Sequence, residues 1–128
     1  MQKHKEWPRF AYDDLRVAQT ILNSDYVIIG IILYYCQQSI EKSLKAYLSY
    51  AKYPIKKTHD LVELVHLCSE TDDDVLQFLE VAVKLTPYAP KSRYPDNALL
   101  MPHASFADWA AKQTTIIFEF VQNKINRK

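Results

Sequence analysis

Glycine is almost missing from this chain: Gly30 is the single one in 128 residues. Tight hairpins and phosphate-cradling loops rely on glycine at positive φ, so an all-β fold and a P-loop or Rossmann phosphate site are both disfavoured. Cysteine is sparse as well. Cys36 and Cys68 are widely spaced among apolar residues, which suits buried structural thiols in a reducing compartment better than a disulfide framework or a redox pair. The longest apolar run, Tyr26 to Cys36, covers 11 residues. A membrane-spanning helix needs about 20, and Gln37 and Gln38 end this run at once. Neither sign of charge dominates, with 16 basic and 15 acidic residues. That excludes a general polyanion binder and leaves room only for a local basic patch. Residues Met1 to Glu6 lack the apolar run of a signal peptide, and the expectation is a cytoplasmic protein with no membrane contact.

What is present points to helices. Apolar residues make up 48% and charged residues 24% of the chain, the profile of a globular domain that buries its own core. One domain over residues 1–128 is expected. Its class is all-α: an up-and-down four-helix bundle with an additional short helix and a long ordered Pro-rich loop before the last helix. The first helix runs from about Trp7 to Asn23, with Pro8 tolerated in its opening turn and Ala11, Leu15, Ala18 and Leu22 at helical spacing. The second runs from about Tyr26 to Tyr53, where Pro54 forces an exit, and would be roughly 40 Å long. Thr58 or Asp60 caps a third helix to about Glu70, with Asp60 and Glu63 at capping-box spacing. Asp72, Asp73 and Asp74 form the acidic start of a fourth that ends near Leu85. Ser105, paired with Asp108, caps a fifth to about Asn126. Between the last two lies Thr86 to Ala104, where Tyr88, Tyr94, Leu99, Leu100 and Met101 supply enough apolar surface to pack the loop across the bundle.

On a helical wheel Leu33, Cys36, Ile40, Leu44, Tyr47 and Leu48 form one broad apolar face. Tyr34, Gln38, Glu41 and Lys45 fall within about 60° of one another beside it. The plain expectation is a solvated face laced by the Glu41–Lys45 pair. A sharper one is that the Pro-rich loop covers this face, whose charges then need partners, because unpaired buried charge is costly. Arg93 is the natural partner, since Pro95 holds Tyr94 extended and lets Arg93 and Asp96 project from a rigid loop. Its guanidinium suits a carboxylate such as Glu41 or Asp14, as a structural clasp, and equally suits a phosphate. Gly30 inside the long helix costs about 1 kcal/mol relative to alanine, which a close helix–helix approach, within the chain or in a dimer, would justify. His59, Glu63 and His66 share one face of the third helix but lack a fourth ligand, so no metal is expected. No HExxH, GxSxG or Cys–His cluster is present, and apolar surroundings make a cysteine nucleophile a poor candidate.

These residues together resemble the HEPN domain family, named for higher eukaryotes and prokaryotes nucleotide binding. The resemblance lies in Asp14-Leu15-Arg16 with Ala18, in the run from Gln37-Gln38 through Glu41-Lys42 to Lys45-Ala46, in Lys57-Thr58-His59-Asp60-Leu61, and in Arg93-Tyr94-Pro95-Asp96. It implies a helical bundle, usually a homodimer, often encoded beside a small nucleotidyltransferase and in some cases forming a toxin–antitoxin pair with it. It also implies that many relatives are metal-independent ribonucleases with an arginine followed, after four to six residues, by a histidine. That spacing is absent here: nine residues, two of them proline, separate Arg93 from His103.

The leading expectation is therefore a binding module without a cofactor, and not an enzyme on its own, that takes a nucleotide or RNA beside a nucleotidyltransferase partner. Lys42, Lys45, Arg93 and Tyr94 would meet the ligand; Asp14, Gln38, Glu41, His59, Asp60 and Asp96 would orient them. The runner-up is a ribonuclease in which Arg93 meets His103 or His59 in space. A third reading is a non-catalytic interaction scaffold.

Overall fold

The computed structural model describes residues 6–95 and 102–126. Asp96, Leu99, Leu100, Met101 and Arg127 lie outside them. The fold is all-helical, and the α-helices are α1 (Trp7–Leu22), α2 (Ile29–Tyr50), α3 (Leu61–Ser69), α4 (Leu79–Leu85) and α5 (Ala104–Ile125). In α1, Pro8 sits in the first turn, and Ala11, Leu15 and Ala18 are buried at successive helical spacings. The chain then leaves the helix at Ser24, whose hydroxyl donates to Ile21 O (2.7 Å) and accepts from the Tyr26 N–H (3.2 Å). This local turn competes with helix geometry. Tyr26, Val27 and Ile28 are consequently exposed, and α2 begins at Ile29 rather than at Tyr26.

α2 is the column of the fold. Its 22 residues span about 33 Å, shorter than expected, because a backbone motif stops it before Pro54 is reached. The Tyr53 N–H reaches Leu48 O (2.9 Å) and the Lys52 N–H reaches Ser49 O (3.1 Å). Lys52 adopts φ 64°, the left-handed position that glycine usually takes in this C-terminal motif. α1 and α5 pack along α2 and against each other, α3 lies on α2, and α4 sits against α3 and α5. At the α1 crossing Ser39 Oγ donates to Ala11 O (2.7 Å), an approach that only a small residue in α1 permits. Cys36 and Cys68 are buried free thiols, pushed up to about 11 and about 12 by burial. Both stay protonated at neutral pH, which fits structural roles.

Asp60 caps α3 by accepting from the N–H groups of Val62 (2.9 Å) and Glu63 (3.3 Å). The reciprocal half of the box does not form: the Asp60 N–H turns to Thr58 Oγ1 (3.1 Å), and Glu63 pairs with Lys56. The acidic start of the fourth helix is a 3-10 segment, Asp73–Phe78, capped by Asp72. Its buried residues, Val75 and Phe78, are three apart and so eclipse on one side of a three-residue turn. The Ser105–Asp108 cap is absent. α5 starts at Ala104 with His103 in the cap position, so Ser105 already lies inside the first turn, and Asp108 pairs with Lys112 (3.0 Å).

The Pro-rich connection carries two 3-10 turns, Thr86–Tyr88 and Pro90–Arg93, both against α2. Thr86 Oγ1 accepts from the Leu61 N–H (3.1 Å) and donates to Ala82 O (2.7 Å), tying the start of the loop to α3 and α4. Tyr88 packs on Phe106 (6.2 Å between centroids). Tyr94 does not pack as expected: it is 62% exposed. Its extended backbone (φ −92°, ψ 139°), imposed by Pro95, turns the ring outward. Among the described residues no helix is long and apolar enough to cross a membrane.

Loss of the α3 cap is a direct check on this account. Asp60→Ala should cost about 1 kcal/mol and lower Tm by roughly 3–5 °C, as read by thermal denaturation. An unchanged Tm would mean that Asp60 does not cap α3.

Candidate functional site: a buried polar face on helix α2

Gly30, Tyr34, Gln37, Gln38, Glu41 and Lys45 occupy about 100° of the α2 circumference. The expectation of a solvated face fails here. Gln37 is 0%, Glu41 4% and Lys45 7% exposed, so the polar groups of this face must satisfy one another. Glu41 is the hub. Its Oε1 accepts from His59 Nδ1 (2.8 Å) and Gln37 Nε2 (3.3 Å), and its Oε2 accepts from Lys45 Nζ (2.9 Å). Gln37 also donates to His59 O (2.9 Å), while its own Oε1 accepts from Gln38 Nε2 (2.6 Å). The buried carboxylate thus has a cation on one oxygen and two further donors on the other. Lys45, in turn, lies over the Trp7 ring at 5.8 Å, which shields the pair from water.

His59 is held from two sides, through its backbone carbonyl and its ring. Its side chain nevertheless remains 57% exposed, whereas that of Glu41 is 5% exposed. The carboxylate facing Nδ1 draws a proton onto that nitrogen and fixes the orientation of the ring. Beside this cluster, Lys42 reaches across to Asp14 on α1 (2.6 Å). Burial raises the Asp14 carboxyl above its ordinary value, with Lys42 opposing that shift and Asp13 and Glu41 adding to it.

Arg93 does not pair with Glu41 or Asp14, which are met by Lys45 with His59 and by Lys42 respectively. Lys45 reaches Glu41 from the next turn of α2, His59 from just before the α3 cap, and Lys42 crosses from α2 to Asp14 on α1, while the loop arginine stays exposed. Its Nη1 lies 2.9 Å from where a Cβ would stand on Gly30. Gly30 therefore accommodates the guanidinium, and among the described residues no other α-helix of this chain comes within 4 Å of that position, so the crossing expected within the chain is not found. Arg93 and Tyr94 stand at the N-terminal end of the polar face. Glu41 and His59 lie about 16 Å further along α2.

His103 is exposed at the start of α5 and makes no side-chain cap bond. Asp60 is committed to capping α3. Among the described residues no group of three His, Cys, Asp or Glu side chains could hold a metal ion. Sequence reasoning passed over Gln37, the fully buried link between Glu41 and the His59 carbonyl. Its i,i+4 spacing to Glu41 was the signal. It also passed over Trp7, which nothing in the local sequence connects to Lys45.

A five-helix chain with this polar seam is similar in fold to the crystal structure of an archaeal HEPN homologue. The TM-score is 0.75 over 98% of this chain and 100% of that one, at 22% identity. The HEPN domain family itself matches residues 4–124. The chain belongs to that family. No match was found among the curated proteins.

Removing the hub should be costly. Glu41→Ala leaves Lys45 buried without its counter-charge and should destabilise the fold by about 3–5 kcal/mol; a loss below about 1 kcal/mol would place the pair effectively in water. Asp14 provides a pH signature. With its folded-state pKa raised, its stability contribution is present below the unfolded value and is lost as pH rises through the folded one. The stability of wild type relative to Asp14→Asn should therefore fall across that interval in denaturant titrations, and a rise would reverse the sign assigned to burial.

Proposed function

We propose that this protein is a nucleotide-binding HEPN module, acting as a homodimer beside a small nucleotidyltransferase, and in that setting one member of a toxin–antitoxin pair. The observation that carries the binding reading is the polar face of α2, with an exposed arginine and tyrosine at one end and a braced imidazole at the other. Arg93 offers two parallel N–H donors to a phosphate, and the exposed Tyr94 ring offers a stacking surface to a base. Lys42, whose side chain is 24% exposed, is within reach of solvent for a second phosphate. Lys45, almost fully buried against Glu41, supports the face from behind together with Gln38 and His59. The partner and the toxin–antitoxin role come from the family resemblance.

A ribonuclease is the second reading, and the Glu41–His59 contact favours it. A buried carboxylate on Nδ1 orients the ring for Nε2 to take a proton from a ribose hydroxyl, and Arg93, too far along the same chain to reach that phosphate, would have to come from the partner copy of a dimer to stabilise charge on phosphorus.

Calorimetric titration with ATP and AMP, without metal, separates the readings. Wild type should bind at least one, and Arg93→Ala should lose roughly tenfold in affinity with little change in Tm. Absence of binding by wild type would sink the nucleotide reading. Cleavage of single-stranded RNA in EDTA, abolished by His59→Ala in a variant that keeps its fold, would establish the ribonuclease instead.

A further inference from the structure

We infer that Gly30 is a positioning residue for Arg93: the missing side chain forms the seat that aims the guanidinium along the polar face, and ligand affinity depends on that seat. This rests on the nucleotide-binding reading.

Glycine in a helix is destabilising relative to alanine, so the only glycine of the chain needs a reason to stand in the first turn of α2. Backbone conformation is not the reason, since Gly30 has no positive φ and every residue type can adopt its geometry. Packing against another helix of the same chain is not the reason either. Among the described residues, the one heavy atom that an added Cβ would meet within 4 Å is Arg93 Nη1, at 2.9 Å. Nor does the seat serve to anchor the loop by charge. No carboxylate among the described residues forms an ion pair with Arg93, and the first turn of α2 holds no acidic residue. A guanidinium beside the N-terminal turn of a long helix also faces the positive end of its dipole, an arrangement that works against stability.

Orientation of the arginine is what this contact supports. Gly30 lies on the same face as Tyr34, Gln37 and Glu41, so a guanidinium seated over it stands at the N-terminal end of the row of polar groups that leads to His59. The clashing atom is the far end of a flexible side chain. An alanine at position 30 is therefore accommodated by swinging the arginine out, with the fold intact. Stability and binding should then move in opposite directions, which a merely structural glycine would not cause.

The test is a double-mutant cycle on the full chain, read by thermal denaturation and by calorimetric titration with ATP. Gly30→Ala should raise Tm by about 2–4 °C and weaken ATP binding by about tenfold. Arg93→Ala should weaken it by a similar factor, and the double variant by no more than either single one, because both remove the same contact. In the Arg93→Ala background, alanine at position 30 should raise Tm further than in wild type, since no guanidinium has to be displaced. A Gly30→Ala protein that binds ATP as wild type does would overturn the inference while leaving nucleotide binding intact. Additive losses in the double variant, or equal Tm gains in both backgrounds, would overturn the seat itself. A wild-type protein that binds neither ATP nor AMP would overturn the binding reading and this inference with it.

Discussion

A carboxylate with almost no access to water sits at the centre of this fold, and much of the surrounding architecture compensates it. Glu41 could not remain charged there alone, because desolvation of an ion costs several kcal/mol. Lys45 comes from the next turn of the same helix, Gln37 from the preceding one, and His59 from the residue just before the α3 cap. Three segments are thereby fixed relative to one another: the column α2, the entry to α3 through the His59 carbonyl, and the start of α1 through Trp7 beneath Lys45. The Asp60 cap and the Thr86 hydroxyl continue the same chain of constraints toward α4 and the Pro-rich connection.

This arrangement divides the polar face into two parts with different duties. The inner part, Gln37, Gln38, Glu41 and Lys45, is buried and hydrogen-bonded within itself and to His59. The outer part, Arg93, Tyr94 and the free edge of His59, faces water and has side chains able to meet a ligand. Buried networks that are fully satisfied hold geometry well, and a site benefits when its outer groups are braced by such a network. Lys45 and His59 show the division most clearly. Both contact Glu41, yet one is enclosed while the other keeps more than half of its side chain exposed.

Most of the architecture was legible in the sequence. The apolar spacing in Trp7–Leu22 and Ile29–Tyr50 is a direct consequence of one face meeting the core, and the scarcity of glycine excluded most alternatives. Boundaries were less legible where they depend on hydrogen bonds rather than on pattern. Ser24 bends the chain before α2, and Lys52 ends that helix in a conformation that gives no sign in the sequence, since glycine is the residue expected there. The spacing of Asp72 to Asp74 marked a helix start correctly, but the 3-10 character follows from how Val75 and Phe78 meet the core. In the site, the i,i+4 pair Glu41–Lys45 was readable and its burial was not. Arg93 suited a clasp on Glu41 or Asp14 as well as a phosphate, and the clasp fails because nearer donors meet both carboxylates; the sequence shows a cation and a carboxylate but not those donors.

Local pattern, then, determined the class of fold, the central helix and the residue types of its polar face, because helical periodicity and capping act over a few residues. Only the tertiary structure decided which of those polar groups are enclosed and which face water. That choice depends on long-range packing: Trp7 over Lys45, the α3 entry against Gln37, and a loop arginine over the one position in α2 that has no side chain.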